Sequence, residues 1–400
     1  MIDLRELSYE ELDSFLKDFN VSLYQTSNYA KTMEKQGFNI KILGLEQNGK
    51  IIGSTILLIN KKAGFTYAYA PRGFVLDYSN TELTKLFVKQ IKKYCKKQGI
   101  VAIKLNPLIV KSIDDVSVDG YDKIFNDLRK LKFYHFGYNE NFESYKPRYE
   151  SIIELDNPNL MFCKIKKEYR TKIRGAIDNG VEIHKGSYED LKYLHLQTTK
   201  KYPRDLLYFQ YLYYFFNQNS NIDLFYAKFD PKKLLTKFRK LYLKQEEICN
   251  SLNEYIKKDN SSKIVNLKIE ADNLLGKYKN QLRNANVMVQ NNPDGVVVAS
   301  CLFIKNKDEV YMIMDGFDKK YKGYNAKHLL IWEAMQYYFA RGYKKLNLGG
   351  ITSGENPKYK GLNTFKLNFG SKKYEYIGDL ELVCSNSKYF LLKNTLPYKK

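Results

Sequence analysis

Cysteine is sparse and scattered. Cys95, Cys163, Cys249, Cys301 and Cys384 are odd in number and never form a CxxC pair. That spacing argues against a disulfide framework and against a zinc site, and the five are read as buried, reduced residues. Histidine is rarer still: His135, His184, His195 and His328 make no HxxxH pattern, and neither a Gly-x-Ser-x-Gly elbow nor a phosphate-binding P-loop accompanies them. Metal catalysis and nucleophilic triads are therefore disfavoured, and no metal and no cofactor is expected. No apolar run approaches the roughly 18 residues needed to span a bilayer. The opening stretch from Met1 to Glu11 lacks a basic region followed by an apolar core, so a cytoplasmic location is expected, with any membrane contact peripheral. Proline is missing altogether between Pro231 and Pro293.

What is abundant is positive charge. Sixty-six Lys and Arg against 44 Asp and Glu give a formal charge of +22, which favours polyanionic partners: nucleic acid, a diphosphate-bearing substrate or an anionic membrane surface. At 400 residues the chain exceeds what one hydrophobic core usually supports, so about two domains are expected.

A supersecondary pattern occurs twice. The first copy runs through apolar stretches at Ile51–Ile59 and Phe65–Ala70, a helical stretch from Thr81 to Gln98, and a strand Ile100–Leu105 followed by Asn106-Pro107. The second runs through Val296–Ile304, Val310–Asp315, a helix from Asn325 to Arg341 and Tyr343–Gly350. Two matching units indicate a duplicated domain. Between them, Glu168–Asp178, Tyr188–Lys201 and Asp205–Gln218 carry apolar residues at helical spacing, and Ile222–Lys228 alternates like a strand. Two heptad-like stripes fill the proline-free segment: Leu234, Phe238, Leu241, Gln245, Ile248, Leu252, Tyr255, then Ile264, Leu267, Ala271, Leu274, Tyr278, Gln281, Ala285. Turn residues Asp259 to Ser262 separate them, so an antiparallel helical hairpin is expected. Its charged exterior suits either a solvated spacer or an arm that touches RNA or a partner.

A set of ordered motifs accompanies these features: Tyr69-Ala70-Pro71-Arg72-Gly73; the basic segment Ile165 to Arg174 followed by Gly180–His184; Tyr202-Pro203-Arg204 ahead of Tyr208-Phe209; Leu348-Gly349-Gly350-Ile351; and Phe365-Lys366 before Tyr376-Ile377-Gly378. In their order and spacing they resemble the Fem family of peptidoglycan interpeptide-bridge aminoacyltransferases over nearly the whole chain. The resemblance implies an α/β (α+β) chain of two tandem N-acetyltransferase-like (GNAT) domains with the coiled-coil hairpin inserted in the second. The expected boundaries are 1–145 plus about 375–400 for the first domain, 146–230 and 291–374 for the second, and 231–290 for the arm. It also implies an aminoacyl-tRNA donor and an acceptor amine on the stem peptide of lipid II or UDP-MurNAc-pentapeptide.

An aminoacyl ester is already activated, so such an enzyme has mainly to hold amine and ester together and stabilise the oxyanion. The resemblance puts Lys366, beside Phe365, at the reaction centre, and gives Arg204 a precursor phosphate, a task that suits the guanidinium fork. It places Arg72, Tyr311 and Asn106 around the substrate. Asn106 stands where some relatives carry an aspartate, and its amide cannot act as a base at neutral pH. A second phosphate contact is expected from the helix after Gln25-Thr26-Ser27, where Lys31 is available and Met33 is the competing alignment. Asp315 and Glu333 remain as bases that nothing in the sequence ranks. From Lys164 to Arg174, six of eleven residues are cationic; on a helix, Lys166, Arg170 and Arg174 share a face that suits RNA phosphates or a diphosphate, or simply solvent. The loop Lys320–Asn325 is a degenerate version of a CoA pyrophosphate loop, which weakens the alternative of a CoA-dependent N-acyltransferase. A catalytically silent RNA-binding or coiled-coil scaffold is the other alternative.

Overall fold

The computed structural model describes residues 2–19, 21–62, 64–199, 204–354 and 356–395. The chain opens with β1 (Ile2–Glu6) and α1 (Tyr9–Leu16), whose N-cap Ser8 forms a reciprocal capping box with Glu11. Helix α2 (Ser27–Lys35) is capped by Thr26. The hairpin of β2 (Asn39–Gln47) and β3 (Lys50–Lys62) turns at Asn48-Gly49, both left-handed at φ of 53° and 81°, as a two-residue turn matched to strand twist requires. Strand β4 (Phe65–Ala70), α3 (Thr81–Lys97) and β5 (Ile100–Leu105) make a parallel crossover in which Phe87, Ile91 and Cys95 are buried at four-residue intervals. Then come β6 (Val110–Ile113), β7 (Val116–Ser117), α4 (Tyr121–Lys130) and β8 (Phe133–His135).

A strap from 136 to 148 without regular structure leads to β9 (Tyr149–Glu154), α5 (Pro158–Lys164), α6 (Lys167–Asp178), β10 (Val181–Gly186), α7 (Leu191–Thr198), α8 (Leu206–Asn217) and β11 (Ile222–Phe229). The arm is α9 (Pro231–Ile256) and α10 (Ser262–Asn291). Beyond it lie β12 (Val296–Asn306), β13 (Glu309–Phe317), α11 (Ala326–Phe339), β14 (Lys345–Ile351), α12 (Lys360–Leu367), β15 (Lys372–Tyr376), β16 (Leu380–Val383) and α13 (Asn386–Thr395).

The strands form two sheets, ordered β1-β2-β3-β4-β5-β16-β8 and β10-β11-β12-β13-β14-β9-β15-β6-β7. Residues 110–117, early in the sequence, thus lie on the far edge of the second sheet. They are drawn there because β15 pairs with β6, and Lys111 and Ser112 both donate to the buried Glu375. Conversely β16, from the end of the chain, inserts between β5 and β8 of the first sheet. A further apolar cluster joins the halves: Leu23 and Tyr29 pack with Leu191, Leu194, Phe209 and Leu212, so α2 rests on α8.

The arm helices would extend about 39 and 45 Å at 1.5 Å per residue. Its base is anchored, with Leu234 4% and Ala285 1% exposed. Toward the tip the seam keeps to the heptad reading at Gln245 and Ala271 and departs from it at Cys249, Ile248 and Tyr255. Gln245 and Cys249 are buried, whereas Ile248 and Tyr255 are exposed; the small Ala271 lets the helices approach there, and the Gln245 carboxamide donates to the Ala271 carbonyl at 3.2 Å. Cys163 corrects the reading of five buried cysteines: it is exposed on the outer side of α5, where Met161 takes the core position. Among the described residues no helix is long and apolar enough to cross a membrane.

Candidate active site

Strands β13 and β14 run parallel only briefly, with Glu309 opposite Lys345 and Tyr311 opposite Asn347. Beyond Asn347 the pairing of β14 with β9 is irregular, and register resumes at Gly350 opposite Glu150. Gly349 makes this bulge with φ of 79°, a conformation that disfavours any side chain. Its N–H donates to Asn347 Oδ1 at 2.8 Å. Into the bulge α12 directs Lys366, which is 7% exposed and whose Nζ donates to the Gly350 carbonyl at 2.8 Å. A Cβ on Gly349 would sit 3.5 Å from that ammonium, and one on Gly350 would meet Pro147 at 2.6 Å. Gly350 is thus what lets the strap close on this strand end, while Gly349 supplies the left-handed backbone beside Lys366.

Beneath lies a buried polar network. The Asn347 carboxamide donates to two carboxylates, Glu150 at 2.8 Å and Glu309 at 2.9 Å. Glu150 is neutralised by Arg72, whose guanidinium donates to it at 2.6 Å and to the Pro147 carbonyl at 2.8 Å. Arg72 is itself held in a left-handed conformation, φ 55°, by its N–H donating to Asn106 Oδ1 at 2.9 Å. Asn106 continues the network to Tyr69 and Asp379, and Asp379 to Lys104. On the other side the Tyr311 hydroxyl donates to Glu309 at 3.0 Å. Burial first, and then the neighbouring Glu150 charge, push the Glu309 carboxyl up to about 6, against the hydrogen bonds from Asn347 and Tyr311. The Tyr311 phenol is raised well above its ordinary value by burial and by Glu309, and so stays protonated.

Above this floor stands an aromatic, cationic wall. Lys146 of the strap lies over the Tyr24 ring, 3.2 Å from its centroid; Tyr24 packs edge-on against Tyr29 at 5.1 Å, and Arg204 covers Tyr208 at 4.5 Å. Burial, then Arg72 and Arg204, depress the Lys146 ammonium well below the usual lysine range. Tyr311 packs in the same cluster as Tyr24 and Tyr208 and so links wall to floor. Among the described residues no carboxylate pairs with Arg204 or Lys146.

The other residues singled out by sequence fall differently. Lys31 lies over the Tyr9 ring at 4.7 Å, on the α1 side of α2, while Tyr29 and Met33 face α8; the structure does not bring Lys31 to the wall. Phe365, next to Lys366 on α12, packs with His328 at 5.4 Å and Phe369 at 5.5 Å. Asp315 is paired with Lys327, and Glu333 is half-buried on α11. Lys166 caps α6, with Arg170 and Arg174 following along it. Lys166 also lines a basin of about 440 Å³ with Lys360, Asn363, Thr364 and Lys373, one flank of which is α12 itself. Tyr202 and Pro203 lie outside the described residues.

The model of the FemAB family matches residues 7–395. The chain belongs to the FemAB family. Relatives that match 98% of this chain over 95% of their own length include Lipid II:glycine glycyltransferase of Staphylococcus aureus strain USA300, 24% identical over 410 residues, and that of Staphylococcus epidermidis, 25% identical over 408. Among solved structures, a crystal structure of FemX superposes with a TM-score of 0.77 at 22% identity, covering 98% of this chain and 99% of that one. A tandem GNAT protein from the clavulanic acid biosynthesis pathway gives 0.50 at 7% identity, covering 96% and 99%. These likenesses speak for the fold: two N-acetyltransferase-like units in tandem.

Sequence reasoning missed five residues of this FemAB site: Tyr24, Lys146, Glu150, Glu309 and Asn347. Glu150 and Glu309 are 159 positions apart and Asn347 joins them only through the order β13-β14-β9, so no local pattern announces them. The one signal available was compositional. Glu309 and Glu150 each adjoin or begin an apolar strand segment, where a carboxylate is costly to bury unless it has work or partners.

Proposed function

We propose that this protein transfers an amino acid from an aminoacyl-tRNA to the side-chain amine of a peptidoglycan precursor's stem peptide, building the interpeptide bridge. The observation that carries the reading is Lys366: a nearly buried ammonium, 7% exposed, that donates to the Gly350 carbonyl and is held against a glycine bulge at the end of β14. A fixed cation beside a strand end suits the oxyanion that forms when an amine attacks an ester. Arg204 and Lys146 would hold the phosphates of the precursor, and Tyr24 and Tyr208 its adjoining apolar surface. Lys166, Arg170 and Arg174 would follow the tRNA backbone, whose 3′ end then reaches α12 beside the basin at Lys166 and Lys360. Family membership and the names of the relatives support lipid II as the acceptor and glycine as the first amino acid to test. A lipid-linked acceptor requires the protein to work at the cytoplasmic membrane face as a peripheral visitor. In this reading the units divide at 1–145 with about 375–400, and 146–230 with 291–374, each contributing one wall of the cleft; the 110–117 hairpin sits with the second, and the arm at 231–290 stands apart.

The test is transfer of labelled glycine, alanine or serine from charged tRNA, with lipid II and UDP-MurNAc-pentapeptide offered in parallel. Transfer by the wild type that falls sharply in Lys366→Ala supports the reading. A folded protein that transfers from no charged tRNA to either acceptor overturns it.

A further inference from the structure

The transfer reaction needs a proton acceptor, because the acceptor amine arrives as an ammonium with an ordinary value near 10.4. Asn106 is an amide, Asp315 is engaged by Lys327, and Asp379 is held by Lys104. Of the two carboxylates under the cleft, Glu150 is committed to Arg72. Glu309 is 9% exposed, and its described hydrogen bonds come from an amide and a phenol rather than a cation. That phenol belongs to Tyr311, which packs against the same apolar cluster as Tyr24 and Tyr208 of the wall where substrate would lie, and Tyr311 is in register with Asn347, whose Oδ1 accepts from the Gly349 N–H at the bulge beside Lys366. The strand order therefore puts an unneutralised carboxylate one hydroxyl away from the cleft and one bulge away from the oxyanion-stabilising cation. We infer that Glu309 is the proton-accepting residue of the transfer and that Tyr311 is the relay by which the acceptor amine reaches it.

The inference rests on the proposed aminoacyl transfer. In the step, an N–H bond of the ammonium breaks as its proton passes to the Tyr311 oxygen, while the phenol's own proton passes to Glu309 Oε2; the nitrogen lone pair is freed. The amine then forms the N–C bond, the oxyanion develops opposite Lys366, and the C–O bond to the terminal ribose breaks. A second N–H proton goes to the ribose oxygen, leaving an amide and a free 3′-terminal hydroxyl, and Glu309 later loses its proton to water. The charged and titratable groups facing Glu309 are Glu150 from β9, Lys345 from β14, and Tyr311 beside it on β13; Arg72 and Tyr376 stand behind Glu150.

Glu309→Gln keeps the hydrogen bonds, since its carbonyl can accept from Asn347 and its amide can donate to Tyr311. Steady-state transfer is measured from pH 5 to 8.5, alongside thermal midpoint and calorimetric binding of the acceptor. The wild-type rate should rise through about pH 6 as the Glu309 carboxyl ionises. In Glu309→Gln that rise should vanish and kcat at pH 7 should fall roughly 100-fold, with KM and acceptor affinity little changed. Tyr311→Phe should lose a similar factor, and the double variant no more than either alone; it also carries the test should Glu309→Gln not fold. Wild-type transfer with an unshifted profile and kcat within about threefold in both variants overturns the assignment alone. No transfer by the wild type overturns the functional reading and the assignment with it.

Discussion

Lys366 and the glycine bulge work together, since the ammonium donates to the Gly350 carbonyl and lies 3.5 Å from where a Cβ on Gly349 would be. Replacing Lys366 by Ala should lower kcat by about 10²- to 10³-fold, the usual cost of losing one oxyanion-stabilising group, while leaving the thermal midpoint near that of the wild type. Gly349→Ala should do both kinds of harm. It forces a Cβ into a conformation with φ of 79°, costing about 1–2 kcal/mol of stability, and relief of that strain would move the neighbouring Gly350 carbonyl that holds the ammonium; a urea titration paired with the transfer assay separates the two. Arg72 and Glu150 form a pair with side chains 2% and 11% exposed, so Arg72→Ala should destabilise by about 3–5 kcal/mol because it strands a buried carboxylate. At this scale the sequence was unevenly legible. Lys366, Arg204 and Arg72 stood out because short motifs surround them, while Glu309, Glu150 and Asn347 had no such context and were assembled by strand order. Lys31 against Met33 could be decided only by which face of α2 meets α8, and that depends on a partner helix 170 or more positions away.

Elements read more easily than contacts. The apolar periods around Thr81–Lys97, Ile222–Phe229 and Ala326–Phe339 correspond to α3, β11 and α11, because each presents a long regular face to a core. Short edge pieces such as β6, β7 and β8 were not legible, since two to four residues carry no period. The arm shows how far a stripe can be trusted. At its base Leu234 is buried in the core of the second sheet, so Leu234→Ala should cost about 2–4 kcal/mol. Near the tip Leu267 is 43% exposed, and Leu267→Ala should stay within about 1 kcal/mol. Denaturant midpoints of the two variants check whether stability is graded along the hairpin. Helix α11 offers a pH probe as well: His328, packed against Tyr169, Phe365 and Phe369, is lowered to about 4 by burial and by nearby Lys172 and Lys327. The folded state favours the neutral ring, so its contribution is present above about 6.5 and is lost as pH falls toward 4. Thermal midpoints recorded from pH 7 to 4.5 should fall more steeply for the wild type than for His328→Phe.

For the whole molecule, a charge of +22 predicts salt-sensitive capture of nucleic acid. Binding of charged tRNA should weaken steeply between 50 and 200 mM salt, and the Arg170→Ala/Arg174→Ala double variant should show a shallower slope, since each lost phosphate contact releases fewer counterions. The two sheets also trade strands: β6 and β7 complete the second from early in the chain, and β16 completes the first from late in it. Growing from its N-terminus on a ribosome, the chain must therefore carry β5 and β8 with an open slot between them until residues 380–383 emerge. Everything up to residue 379 is made before the first sheet can close, and until then the slot is an unpaired edge open to a stranger's strand.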